Sequence, residues 1–475
     1  MKKIVSLIFI IVLFSCSNSN KQIEELPLYK VDVKRRVYHS DGTRTYDDYV
    51  AMDTRTIDHL QSFKPNKKPQ FGKYGGNKKR QVEASGFFRT EKIDDRWWIV
   101  DPEGYLFIHK AVNGLKRGGS ERNKKGFNTK FNSPVNWMEA TTKLIVNNGF
   151  NGAGSWSEDN IIREMQQNGE NQLAYTINLS FMSSYGKKRG GTYAVPGHTG
   201  YPNSTIFVFD EEFKIFCDEK AKELVKYKDD QNLLGYFSDN EMPFKTSNLE
   251  GYLTLENKND QGYLAAKKWL GEKGISESEI TDDIRNEFRA FCGETYSWIV
   301  NEAIKKYDPN HLFLGARLYS SEKNNETFMR AAGKHIDVVS CNYYGRWTPR
   351  EDELSNWANW TGKPFMITEW YVKGEDSGLS NVSGAGWIVK TQHDRGLFYQ
   401  NYTLKLLESK SCVGWHWFKY IDNDPEQKGT ELSNIDANKG IVNNDYDEYI
   451  PLLNLMKDVN LHAYDLIDYF DNQNQ

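Results

Sequence analysis

Short apolar runs alternate with amphipathic, charged stretches along most of the chain. The runs are Phe107–Val112, Phe150–Ala153, Leu173–Ile177, Leu233–Phe237, Leu312–Ala316, Val338–Cys341, Phe365–Ile367 and Val413–Trp417. Each has the length of a buried strand, far below what a membrane-spanning helix needs. Between them apolar residues recur at helical spacing. Phe213, Phe216, Ala221, Leu224 and Val225 precede the fourth run, and Phe288, Phe291, Trp298, Ile299 and Ala303 precede the fifth. Repeated strand-then-helix predicts a parallel sheet with helices packed outside it. Eight such units predict an α/β fold of the (β/α)8 TIM-barrel type rather than an open doubly wound sheet. No Gly-rich phosphate loop follows an early strand, which removes the main support for a nucleotide-binding fold. Upstream, Trp97-Trp98-Ile99-Val100 and Tyr105-Leu106-Phe107-Ile108 flank Asp101-Pro102-Glu103-Gly104, a pattern that predicts a short N-terminal β-hairpin extension.

The barrel is therefore assigned to residues 84–475, and residues 16–83 to a tether and irregular extension. Residues 1–15 read as a signal peptide. Lys2 and Lys3 precede an apolar stretch from Ile4 to Phe14, too short to span a bilayer. It ends in Leu13-Phe14-Ser15-Cys16, which resembles a bacterial lipobox and implies cleavage before Cys16 and acylation of its thiol. The expected location is the bacterial cell envelope, with membrane contact through the lipid anchor only. The other cysteines, Cys217, Cys292, Cys341 and Cys412, are far apart with no CxxC spacing, and the 9 His are scattered. No metal site and no cofactor is expected. A net charge of -4 gives no footprint for nucleic acid. Aromatic residues make up 14%. That surplus suits a large core and equally suits sugars, whose C–H faces stack on flat rings.

In a barrel of this type the active site lies at the C-terminal ends of the strands. The fourth run leads into Ser238-Asp239-Asn240-Glu241, and the seventh into Thr368-Glu369-Trp370. Two carboxylates at those ends would face each other across the mouth. Retaining glycoside hydrolysis needs that pair: one carboxylic acid protonates the leaving oxygen, and a second carboxylate ~5 Å away attacks the anomeric carbon. Asn-Glu also occurs at Asn286-Glu287, Asn301-Glu302 and Asn325-Glu326, but only Asn240-Glu241 directly follows a buried-strand pattern.

The pair resembles the clan A glycoside hydrolases, which implies Glu241 as acid/base and Glu369 as nucleophile. Gly235-Tyr236-Phe237-Ser238-Asp239-Asn240-Glu241, Trp98-Ile99-Val100-Asp101-Pro102-Glu103-Gly104 and Gly149-Phe150-Asn151 leading to Trp156 resemble the β-agarases of glycoside hydrolase family 50 more closely. The likeness covers roughly residues 84 to 460 and implies a poly- or oligosaccharide substrate. Those agarases carry a sizeable N-terminal β-rich module, and too few residues precede the hairpin here to hold it. By the same resemblance Asn240 would bind the sugar 2-hydroxyl. Tyr343 or Tyr344 could donate to Glu369, and Arg317 is a cation near the same mouth. Trp415 and Trp417 share one strand face by alternation, so either could floor the sugar site. Trp370, Asn113 and Trp156 are further expected contacts, and His416 is expected in the core. The loops at Phe181–Thr205 and Tyr371–His393 would shape substrate subsites. Alternatives are the same machinery on β-mannan, β-glucan or simple β-galactosides, or a non-catalytic glycan-binding lipoprotein. A metal-dependent hydrolase finds no ligand cluster.

Overall fold

The computed structural model describes residues 26–39, 43–167 and 173–473; Cys16 and the signal segment lie outside them. The chain is a mixed α/β protein built on a curled parallel sheet. Its nine strands run in the order Leu312–Phe313, Leu233–Phe237, Ala174–Asn178, Gly152–Ala153, His109–Val112, Cys412–Trp417, Phe365–Trp370, Val339–Asn342 and Arg317–Leu318. Every neighbouring pair is parallel. The first and last of these strands are two halves of one stretch of chain. Within it Leu314 N donates to Tyr236 O (2.8 Å) on one side, and Leu314 O accepts from Ser340 Oγ (2.6 Å) on the other.

Helices cover the outside of the sheet, among them Asp282–Tyr307 and Gln392–Glu408. The larger apolar core fills the layer between sheet and helices. A smaller core lies inside the curl, where Leu234, Leu312, Val338, Met366 and Val413 come from strand starts. Phe88, Ile99 and Phe107 join them from a four-stranded antiparallel sheet spanning Asn77–Gln81 to Tyr105–Phe107. The expected hairpin is thus part of a sheet that plugs the end of the curl away from the strand C-termini. Burying each of these side chains is worth about 1.5–3 kcal/mol. His416 is fully buried, its Nε2 2.8 Å from His109 Nδ1. Burial pushes the His109 imidazole down to about 4, so it is neutral near pH 7.

The segment expected to be an irregular extension carries strands of its own. Tyr29–Lys34 pairs antiparallel with Val50–Thr54 and with Ile388–Val389, placing Val31 and Val33 in the main core. The small hairpin Arg36–Tyr38 with Arg44–Tyr46 then reaches the strand C-terminal face.

Candidate active site

Glu241 follows the Leu233–Phe237 strand in a left-handed backbone conformation (φ 50°). That conformation costs a non-glycine residue about 1–2 kcal/mol, and here it is held by Glu241 N donating to Arg317 O (3.0 Å). The turn aims the carboxylate at Asn342, whose Nδ2 donates to Glu241 Oε1 (2.9 Å). The other oxygen is 3.4 Å from His198 Nδ1. His198 comes from the hairpin Tyr193–Val195/His198–Gly200 inside the loop after the third strand. That loop is anchored by the fully buried Asp239, which accepts from Met182 N (2.8 Å), Ser183 N (3.0 Å) and Tyr296 Oη (2.6 Å).

Glu369 sits on the Phe365–Trp370 strand, only 7% exposed. Arg317 Nη1 lies 2.8 Å from Glu369 Oε1, and Tyr344 Oη donates to Glu369 Oε2 (2.7 Å). Burial holds the Glu369 carboxyl above the usual carboxylate range, and the Glu241 charge adds to this; Arg317, Tyr344 and Lys439 oppose it. Arg317 is itself fully buried. It donates to Asn240 Oδ1 (2.9 Å) and Thr368 O (2.7 Å), and lies 5.6 Å from the ring centres of Trp156 and Phe237. Asn342 Nδ2 reaches Asn240 Oδ1 as well (3.2 Å) and its own Oδ1 accepts from Thr368 (2.8 Å). One polar network therefore ties both carboxylates together.

Both glutamates open into one cavity of about 850 Å³, together with Asn240, Trp156 and Tyr344. Trp387, Phe418, Tyr371, Tyr319 and Tyr38 supply further aromatic walls. Five expected contacts are corrected. Tyr343 points the other way and its hydroxyl bonds Glu353, because successive strand residues face opposite sides. Trp370 also faces outward, stacked on Tyr402 with ring centres 4.3 Å apart. Trp415 and Trp417 do share a face, but it is the outer one. Trp415 Nε1 donates to Tyr399 on the covering helix (2.7 Å) and Trp417 Nε1 to Lys439 O (3.0 Å). The cause is an extra residue: the register steps from Phe365–Cys412 to Met366–Gly414, and the bulge inverts the alternation beyond it. Asn113, fully buried, lies beneath the cavity and donates to Thr368 O (2.7 Å), so it braces a strand end rather than lining the wall. Among the described residues, no group of three His, Cys, Asp or Glu is arranged to hold a metal ion.

The network of Asn342 and the contact of His198 were not legible in the sequence. Asn342 could have been found by asking which polar side chain ends every strand; His198 has no local signal.

No family model matches the chain. It is 33% identical to BpGH50, whose solved structure aligns with a TM-score of 0.82 over 94% of this chain and 96% of that one. It is 24% identical over 493 residues to Beta-agarase B of Vibrio sp. (strain JT0107), covering 81% of this chain. The chain spans 49% of that relative's length. The agarase AgWH50C shares the fold, with a TM-score of 0.67 at 22% identity over 83% of this chain and 66% of that one. Buried glutamates at the ends of a parallel sheet, together with these relatives, put the chain among the glycoside hydrolases. It belongs to glycoside hydrolase family 50.

Proposed function

We propose that this chain hydrolyses β-glycosidic bonds, in particular β-galactosidic bonds of agarase-type poly- or oligosaccharides, with retention of configuration. The observation that carries this reading is the shared cavity of Glu241 and Glu369, with Glu369 braced by Arg317 and Tyr344. Glu241 gives its proton to the glycosidic oxygen as that bond breaks, and Glu369 forms a bond to the anomeric carbon. Glu241, now a carboxylate, takes a proton from water; the water oxygen attacks the same carbon and releases Glu369. Asn240, fixed by Arg317 and Asn342, is positioned to meet a sugar hydroxyl beside the cleaved bond. Galactan specificity rests on family membership and on relatives named as β-agarases. We read the sheet as a closed (β/α)8 barrel, since residues 312–318 bond strands on both sides.

The test is a panel of β-galactan, β-mannan and β-glucan oligosaccharides, with the anomer of the first product followed by NMR. Cleavage of the galactan to an initial β-anomer is expected. An initial α-anomer would rule out retention, and cleavage of only the mannan or glucan would rule out the specificity.

Two further outcomes are expected. Glu369 must be ionised to attack. The Tyr344 hydroxyl lowers its pKa, so Tyr344→Phe raises that pKa further and reduces the ionised fraction at low pH. The acid limb of kcat/KM should move upward by about 1 pH unit, the size of one charge-assisted hydrogen bond; an unmoved limb contradicts the contact's role. Separately, we propose that the mature chain is acylated at Cys16 in the cell envelope. Cys16→Ala should shift the protein from membranes to the soluble fraction, and unchanged membrane association would reject the anchor.

A further inference from the structure

One wall of the cavity carries more positive charge than hydrolysis of a neutral sugar requires. Lys116, Lys419 and Lys439 all line it, in a chain whose net charge is -4. Lys116 follows the strand His109–Val112, and Lys419 and Lys439 follow its neighbour Cys412–Trp417. Gly114 brings the first two together: a Cβ built on it would lie 3.8 Å from Lys419 Cβ and Cδ. The carboxylates that act on Lys116 and Lys419, Glu158 and Asp422, are engaged elsewhere. Glu158 pairs with Arg117, whose Nη2 is 2.8 Å away. Asp422 accepts from Asn438 Nδ2 (2.9 Å), Gly440 N (2.7 Å) and Tyr449 Oη (2.6 Å). Lys439 is satisfied by Ser433 O (2.7 Å) and Asn434 Oδ1 (2.8 Å). Neither the Lys116 nor the Lys419 ammonium group has a hydrogen-bond or ion-pair partner among the described residues.

Burial, then the charges of Lys439 and Lys116, push the Lys419 ammonium down to about 7. Three like charges beside one another are relieved by loss of a proton or by an anion, and an anion holds all three ammonium groups charged. Glu369 acts on Lys439 but not on Lys116 or Lys419, and Arg317 and Tyr344 already hold its two oxygens.

We infer that Lys116 and Lys419, with Lys439 beside them, form a subsite for an anionic substituent, a sulfate ester or a carboxylate, on the bound glycan. This rests on the glycosidase reading above. An oxyanion there would replace the missing counterion of both ammonium groups, and each charge-assisted contact is short and strong.

The experiment compares kcat/KM for matched β-galactan oligosaccharides that are neutral, sulfated or oxidised to the uronate. At least one anionic form is expected to be cleaved about 10-fold faster than the neutral one at low salt, with that advantage shrinking as NaCl rises. Preference for the sulfated or the uronate form identifies the substituent. Lys419→Met and, separately, Lys116→Met should each reduce the anionic-to-neutral ratio about 10-fold; Lys116 is exposed, so its variant guards against misfolding of the other. A ratio at or below one in the parent protein, or a ratio untouched by Lys116→Met in a folded variant, overturns the subsite while leaving the glycosidase standing. Failure to cleave any member of the series overturns both.

Discussion

Glu369→Ala is expected to abolish turnover, with a loss on the order of 10⁵-fold, the scale seen when a nucleophile is removed from a unit that acts together. Without the carboxylate no covalent intermediate forms, and no neighbour replaces it: Arg317 is a donor only, and burial keeps the Tyr344 hydroxyl protonated. The fold should survive at reduced stability: Arg317 loses its counter-charge but keeps its bonds to Asn240 and Thr368 O. Thermal melting alongside the rate separates the two effects. A variant that is folded at the assay temperature and retains more than a few per cent of the parent rate would exclude Glu369 as nucleophile.

Arg317→Met is expected to have the largest combined effect on activity and stability. The side chain has no exposure and supplies the only cation bonded directly to the Glu369 carboxylate among the described residues. Removing one partner of a buried pair costs about 3–5 kcal/mol, since the other charge is left uncompensated. Glu369 answers by binding a proton, because the lowering influence of Arg317 on its already raised pKa is gone. The sign follows. Between the unfolded and the raised folded pKa, the folded state binds more protons than the unfolded one, so stability falls as pH rises. The variant should therefore melt further below the parent at pH 8 than at pH 5, and its activity should fall about 10³-fold near neutrality. Equal loss of melting temperature at both values would contradict the electrostatic account.

The strand positions were legible because buried parallel strands write themselves as short apolar runs; Leu233–Phe237 has the same bounds in sequence and structure. Both glutamates were legible because they directly follow such runs. What failed was absolute facing. Alternation gives only which residues share a side, and a single extra residue near Val413 turned Trp415 and Trp417 outward. The same limit left Tyr343 and Tyr344 unresolved until the sheet's inner face was known. His198 lies 43 residues from Glu241 and reaches it through a hairpin in a loop, a contact with no periodic signature. The N-terminal strand Tyr29–Lys34 pairs with the nearby Val50–Thr54, but its attachment to the rest of the fold through Ile388–Val389, more than 350 residues away, has no local signal.

The central claim assigns different roles to the two carboxylates, and azide rescue tests it most directly. With an activated aryl glycoside that needs little protonation, Glu241→Ala should still form the intermediate on Glu369 and then stall, because water lacks its base. Azide needs no base, so it should restore turnover and give a β-glycosyl azide. Glu369→Ala with azide should instead give the α-azide, by direct displacement from the opposite face. The reverse pairing of variant and anomer, or full activity in both variants without azide, would contradict the assignment.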